Sequence, residues 1–130
     1  MNHVTSKDGT SIAYDKVGSG PTLILVGGAF QTRQDPMMGP LAERLSHDFT
    51  VINYDRRGRG DSTDNQPYSV WREVEDIEAL IDEAGAPACL FGMSSGSVLA
   101  LDTASRLGDK VSKVAVYEAP FIVDDSRPPM

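Results

Sequence analysis

The sequence predicts a three-layer α/β fold, in which a mostly parallel sheet carries helices on both faces. Short apolar runs alternate with helical patterns along the whole chain. These runs are continuous rather than interrupted by polar residues, which is typical of parallel strands buried on both faces. The chain has 130 residues, which is the length of one domain with a sizeable core.

An antiparallel hairpin is predicted at the amino end of the sheet. Asp8 and Gly9 can adopt the positive φ angles of a tight turn, and residues 10–17 after them have the composition of a strand. The glycines and proline of residues 18–21 then end this ribbon.

Four further strands are predicted from apolar runs that contain β-branched or aromatic residues. They lie at residues 22–26, 49–54, 88–91 and 113–117. The helix between the first two is predicted to start with Pro40 at its first position, where the missing N–H has no cost.

Two longer helices separate the remaining strands. Ser69 is the predicted N-cap of a helix that ends at Gly85, and its apolar face is formed by Val70, Val74, Ile77 and Ile81. Gly108 is predicted to end the next helix, whose apolar face is formed by Val98, Leu101, Ala104 and Leu107. Strands joined by helices in this order imply right-handed crossovers within one parallel sheet.

Composition and charge narrow the classes of function. The chain has 12 basic and 19 acidic residues, a net charge of -7, so we expect no nucleic-acid partner. No apolar run approaches the ~18 residues that a membrane span needs, so no membrane partner is expected either. The first residues lack the basic and apolar segments of a signal peptide, which favours a cytoplasmic location.

A candidate nucleophile lies between the third of these strands and the helix after it. Residues 92–96, GMSSG, fit the pattern G-x-S-x-G in the strand-to-helix context that this pattern requires. We expect the tight turn to force Ser94 into an unusual backbone conformation and to present its hydroxyl at the carboxyl edge of the sheet. The alternative is that Ser94 only caps the helix. Ser95 lies one step inside the helix, so its main-chain N–H is the useful group.

A second glycine turn is predicted at the same edge of the sheet. Gly27 and Gly28 follow the strand at 22–26 and let main-chain N–H groups face a ligand. The N–H of Ala29 is the expected partner of the Ser95 N–H in an oxyanion hole, with Phe30 next in line. A plain glycine turn without this role is the alternative.

Together these residues resemble the α/β-hydrolase family. The likeness extends over the hairpin, LILVGGAF at 23–30, VINYDRRGRGDS at 51–62 and LFGMSSGSVLAL at 90–101. The resemblance implies that Ser94 is the nucleophile, that the N–H groups of Ala29 and Ser95 form the oxyanion hole, and that no metal or organic cofactor takes part.

The sequence departs from the family at two positions. Gly27-Gly28 stands where members often carry His-Gly, and Met93 stands where a histidine is common. Neither histidine is the catalytic base in the family, so we expect these changes to alter the pocket and not the chemistry. In the turn after the strand at 49–54, we interpret four residues as structural: Asp55, Arg57, Gly58 and Gly60.

The catalytic histidine of the family has no counterpart in this sequence. In this fold the acid and then the histidine follow the serine, but the two histidines, His3 and His47, both precede Ser94. We therefore expect residues 1–130 to be the amino-terminal part of a longer hydrolase domain and to be inactive alone. Later strands, a lid and the histidine would lie in a carboxy-terminal half, in the same or a second chain. Glu118 is a candidate acid, and a polar turn residue is the alternative.

The predicted function is the hydrolysis of an ester-like bond in a small-molecule substrate. Candidate pocket residues are Phe30, Gln31, Met93 and Tyr117, each with core packing as the alternative. The alternative function is a non-hydrolytic member of the same fold, such as a ligand receptor or a cofactor-free lyase or peroxidase. A nucleotide-binding Rossmann-type domain is disfavoured, because GGAFQT lacks the G-x-G-x-x-G spacing.

Overall fold

A computed structural model of the chain describes residues 1–85 and 87–118. Within these residues six strands and three α-helices follow one another in the predicted order. The strands are β1 (Asn2–Thr5), β2 (Ser11–Val17), β3 (Thr22–Val26), β4 (Thr50–Tyr54), β5 (Ala88–Met93) and β6 (Val111–Tyr117). The helices are α1 (Met38–Leu45), α2 (Val70–Ala84) and α3 (Ser95–Leu107).

The strands form one sheet in the order β1-β2-β4-β3-β5-β6. Strand β2 pairs antiparallel with both of its neighbours, while β4, β3, β5 and β6 pair in parallel. Five of the six strands described therefore run in the same direction. The predicted mostly parallel sheet with an antiparallel hairpin at its amino end is confirmed.

Apolar side chains form one core on each face of the sheet. In β3, Ile24 and Val26 pack into a core beneath α2 and α3, while Leu23 and Leu25 pack into a smaller core beneath α1. This division follows from the alternation of side chains along a strand. Helices thus cover both faces, which confirms the three layers.

Helix α2 has the predicted limits, whereas α1 begins earlier than predicted. Ser69 caps α2, and Gly85 ends it in the left-handed conformation with φ 82°. The prediction that Pro40 opens α1 is wrong, because Met38 is the first residue of that helix. The Asp35 carbonyl accepts the Met38 N–H at 3.0 Å, and the helix begins at Met38, two residues before Pro40. Pro40 still lies in the first turn, where its missing N–H leaves no hydrogen bond unmade.

Buried ion pairs fix the glycine-rich turn that follows β4. Asp55 is fully buried and accepts the main-chain N–H of Arg33 at 2.7 Å and its Nη1 at 2.6 Å. Arg57 donates to both carboxylate oxygens of Asp76 on α2, at 2.7 and 2.8 Å, and to Asp8 in the hairpin turn at 2.8 Å. These contacts give Asp55 and Arg57 the kind of structural role predicted for them.

The Asp8–Arg57 pair makes stability depend on pH. Hydrogen bonding from Arg57, opposed by burial and assisted by Thr10, holds the pKa of Asp8 well below its usual range. A carboxyl whose pKa is lower in the folded than in the unfolded state stabilises the fold above the unfolded pKa of about 4 and loses that contribution as pH falls. We expect Asp8→Asn to lower the free energy of unfolding at pH 7 and to reduce the amount by which it falls between pH ~5 and pH ~3.

Urea unfolding at several pH values between those limits measures this effect. Asp48→Asn is the matched control, because Asp48 is an exposed aspartate just before β4. A stability profile for Asp8→Asn that runs parallel to that of the unchanged protein would contradict the prediction.

Candidate active site

The candidate site lies at the carboxyl edge of the sheet, where the chain reverses its direction of strand addition. From β3 the chain adds β4 on one side, and from β4 it crosses to add β5 on the other side of β3. The carboxyl ends of two strands flanking such a switch point are where open α/β sheets bind ligands. Val26 of β3 pairs with Gly92 of β5, so the loops that follow these strands start side by side.

Ser94 has the strained backbone predicted for it. Its φ of 54° and ψ of -123° lie in a region that residues with a side chain rarely occupy, at a cost of about 1–3 kcal/mol. The Ser94 N–H donates to the Tyr117 carbonyl at 2.9 Å, and its own carbonyl accepts the Ser97 N–H at 2.9 Å. The side chain is exposed and makes no capping hydrogen bond, which argues against the cap interpretation.

Two glycines make the tight turn possible. A Cβ on Gly92 would lie 2.6 Å from the Gly96 carbonyl oxygen and 2.6 Å from the Ser97 Cα. A Cβ on Gly96 would collide with the Val26 carbonyl and lie 2.5 Å from that of Gly27. Since the obstructing atoms are mostly backbone, β3, β5 and α3 can approach this closely only without these side chains.

The main-chain donors predicted for an oxyanion hole flank Ser94. The Gly28 N–H donates to Gln31 Oε1 at 2.8 Å, and the Gln31 N–H returns to the Gly28 carbonyl at 3.1 Å, which closes the loop. The Ala29 N–H has no hydrogen bond to any other described residue. Ser95 is the first residue of α3, where the helix itself offers the N–H no partner. A Cβ on Gly28 would lie 3.5 Å from the Ser94 Cβ, so the loop borders the serine.

The other predicted site residues fall into different environments. Phe30 is fully exposed, and Tyr117 is 51% exposed and accepts the Ser94 N–H with its main-chain carbonyl. Gln31 is half-buried, with its oxygen occupied in the loop. Met93 is 5% exposed and packs in the core beneath α1, which is the packing alternative. Glu118 is exposed and follows β6 with φ 52°.

Neither histidine lies near Ser94. His3 is on β1, four strand positions from β5 and thus roughly 19 Å away at the usual strand spacing. His47 precedes β4 and lies at the amino edge of the sheet, opposite the candidate site. Within the part of the chain that the structure describes, neither His3 nor His47 is a partner of Ser94.

One residue of the site was missed by sequence reasoning. Arg56 Nη1 lies 3.3 Å from the Gly27 carbonyl and 3.3 Å from Ser95 Oγ, so the guanidinium contacts both turns that flank Ser94. The sequence contained a signal for the ion pair of Arg56 with α2, but not for its contacts with these two turns. Two adjacent arginines, Arg56 and Arg57, precede a helix with acids three residues apart, at 73 and 76, which is the spacing of two parallel ion pairs.

Comparison with known proteins identifies the family of this chain. A model of the alpha/beta hydrolase family matches residues 23–130. The chain belongs to that family. As an alpha/beta hydrolase, it is similar over 98% of its length to an alpha/beta hydrolase from Sphaerobacter thermophilus DSM 20745, with 56% identity and a TM-score of 0.91, and covers 49% of it.

Two further solved structures differ in their described activities. The esterase RhEst1 from Rhodococcus sp. ECU1013 is 29% identical, with a TM-score of 0.81, and the match covers 91% of this chain and 45% of the esterase. The bottromycin epimerase BotH is 32% identical, with a TM-score of 0.81, and the match covers 91% of this chain and 48% of the epimerase. This alpha/beta hydrolase chain therefore spans about half the length of each relative.

The described residues show neither a cluster of metal ligands nor a membrane-spanning helix. They contain no group of three or more His, Cys, Asp or Glu side chains arranged to hold a metal ion. No helix among them combines the length and the hydropathy needed to cross a membrane.

Proposed function

We propose that this chain carries the nucleophile and the oxyanion hole of a serine hydrolase that cleaves an ester-like bond in a small molecule. The conformation of Ser94 carries the proposal. A non-glycine residue at φ 54° persists only where its surroundings enforce it, and such strain concentrates at active sites. The esterase among the structural relatives supports the ester-like substrate.

The proposed reaction starts at the Ser94 hydroxyl. Its Oγ attacks the substrate carbonyl and loses a proton to a histidine, and the negative oxygen then accepts hydrogen bonds from the N–H groups of Ala29 and Ser95. The tetrahedral species expels the alcohol, which takes the proton, and leaves an acyl group on Ser94. Water then releases the acid by the same steps. The positive end of α3 adds to the stabilisation of the oxyanion.

The proposal assigns the base to a histidine outside residues 1–130. We propose that the histidine lies in a carboxy-terminal half, in the same polypeptide or a second one, and that the whole protein acts in the cytoplasm. Glu118 remains the proposed acid, because it follows β6 at the same edge of the sheet as Ser94. Comparison of the intact mass with the reading frame tests this: a stop codon after Met130 without a companion chain would contradict it.

A fluorophosphonate probe tests the nucleophile directly. We expect the full-length protein to gain one covalent adduct on Ser94, found by peptide mass spectrometry, and Ser94→Ala to gain none. Ser105→Ala is the matched control, because Ser105 is an exposed serine on the same helix far from the turn. Absence of labelling in a folded full-length protein would contradict the proposal.

A second candidate function rests on the likeness to the epimerase. That protein is described as an epimerase in complex with bottromycin A2 and is as similar in fold as the esterase. A non-hydrolytic role is compatible with the same shape of the site, but it requires no nucleophile at Ser94. A folded protein that is neither labelled nor active on a series of p-nitrophenyl esters would favour this second function.

A further inference from the structure

Arg56 connects the two turns that contain the oxyanion donors. It lies just after β4, and its Nη1 points between the Gly27 carbonyl and Ser95 Oγ, at 3.3 Å from each. Gly27 is two residues before Ala29, and Ser95 carries the second donor itself. One guanidinium nitrogen therefore touches the backbone of one donor turn and the side chain of the other.

Glu73 fixes the orientation of the Arg56 guanidinium. Its Nε and Nη2 donate to the two carboxylate oxygens of Glu73 on α2, each at 2.8 Å, and the Tyr68 hydroxyl donates to Glu73 at 2.5 Å. Arg56 is 7% exposed and Glu73 is 2% exposed. A planar, bidentate pair of this kind fixes orientation as well as distance.

Both partners stay ionised. Burial alone raises the pKa of Glu73, but the hydrogen bonds and charge of Arg56, together with the Tyr68 hydroxyl, outweigh burial and hold that pKa below its usual value. Burial alone lowers the pKa of Arg56, yet the hydrogen bond and charge of Glu73 raise it above its ordinary value. Arg56 therefore keeps its charge, and with it the ability to donate to the two turns, across the pH range of an esterase assay.

We propose that Arg56 is a positioning residue that sets the spacing of the Ala29 and Ser95 N–H groups and so shapes the oxyanion hole. This inference rests on the proposed hydrolase function. The carbonyl of Gly27 and the hydroxyl of Ser95 accept from the same nitrogen, so the loop after β3 cannot move away from α3 without breaking one of these contacts. Stabilisation of an oxyanion depends on donors placed within about 0.5 Å, and displacement by 1 Å can cost about a hundredfold in rate.

The test removes the contacts of Arg56 with the two turns without leaving an unpaired charge in the protein interior. Arg56→Met alone would leave Glu73 buried and unpaired, so the variant is the double change Arg56→Met with Glu73→Gln, made in the full-length protein. The matched control is Arg57→Met with Asp76→Asn, which removes the adjacent arginine–carboxylate pair between the same turn and α2. Arg57 contacts Asp76, Asp8 and the Arg72 carbonyl, not the two donor turns.

The kinetic readout separates positioning from folding. We expect kcat on a p-nitrophenyl ester to fall about ten- to a hundredfold in the Arg56 double variant while KM stays within about twofold, and kcat of the control to stay within about twofold. Arg56→Lys keeps the charge but lacks the bidentate geometry, so we expect it to remain impaired. Full activity in Arg56→Lys, or in the folded Arg56 double variant, would overturn the inference.

A second readout does not depend on activity. Hydrogen exchange of the amides in 27–31 and 94–97 is expected to be at least about tenfold faster in the Arg56 double variant than in the control, since local protection follows local restraint. Unchanged exchange would overturn the inference. If the unchanged protein is neither labelled nor hydrolytic, the proposed function fails, and this exchange measurement still decides whether Arg56 fixes the two turns.

Discussion

Ser94→Ala is expected to lower kcat for ester hydrolysis by about a millionfold, the penalty known for removing the nucleophile of a serine protease. Among residues 1–85 and 87–118, no other serine near the turn can replace Ser94. Ser95 is the neighbouring serine, but its Oγ accepts from Arg56 and its backbone belongs to α3. Steady-state kinetics with a p-nitrophenyl ester measures the loss, with Ser105→Ala as the control.

The same position allows a separate test of backbone strain. Glycine adopts φ 54° without penalty, so Ser94→Gly is expected to be more stable than Ser94→Ala by about 1 kcal/mol, although both variants lack the hydroxyl. Urea unfolding of the two variants measures the difference. Equal free energies of unfolding for the two variants would contradict the backbone strain at Ser94. A kcat of Ser94→Ala within a hundredfold of that of the unchanged protein would contradict the assignment of Ser94 as the nucleophile.

Local signals explain why the sequence predicted the helices and strands and the tight turn at Ser94. The limits of α2 depend on a capping serine and a left-handed glycine, Ser69 and Gly85, both of which act on their own neighbours. The strain at Ser94 is equally local, because the flanking glycines, the strand and the helix are contiguous in sequence. Pro40 misled the prediction of α1, because the chain already begins to turn at Asp35, whose side chain accepts the Met37 N–H and whose carbonyl accepts that of Met38.

Contacts between distant segments explain what the sequence did not predict. Arg56 reaches Gly27 and Ser95 across 29 and 39 residues, and no short motif encodes such a meeting. The strand order also depends on contacts between segments that are distant in sequence. The alternation of strands and helices predicts parallel neighbours, but not that β5 adds on the far side of β3, which is what brings residues 27–29 beside Ser94. Met93 packs inward because strand alternation turns it to the α1 face.

The second substitution with a large expected effect is at Gly96, where α3 closely approaches β3. A Cβ at this position would collide with the Val26 carbonyl and lie 2.5 Å from the Gly27 carbonyl. Both obstacles are backbone atoms and cannot rotate away, so Gly96→Ala is expected to push α3 from the sheet and to cost about 3 kcal/mol or more. Urea unfolding of the full-length protein measures this cost. Ser105→Ala is the control, because Ser105 is an exposed residue of the same helix, far from the contact with β3.

The same substitution tests how catalysis depends on the packing of backbone against backbone. Gly96 touches no substrate in the proposed mechanism, and Gly96→Ala leaves the Ser94 hydroxyl in place. A shift of α3 by about 1 Å nevertheless separates the Ser95 N–H from that of Ala29, so kcat of the folded fraction is expected to fall about a hundredfold. Retention of full kcat in folded Gly96→Ala would mean that the two donors do not depend on this contact.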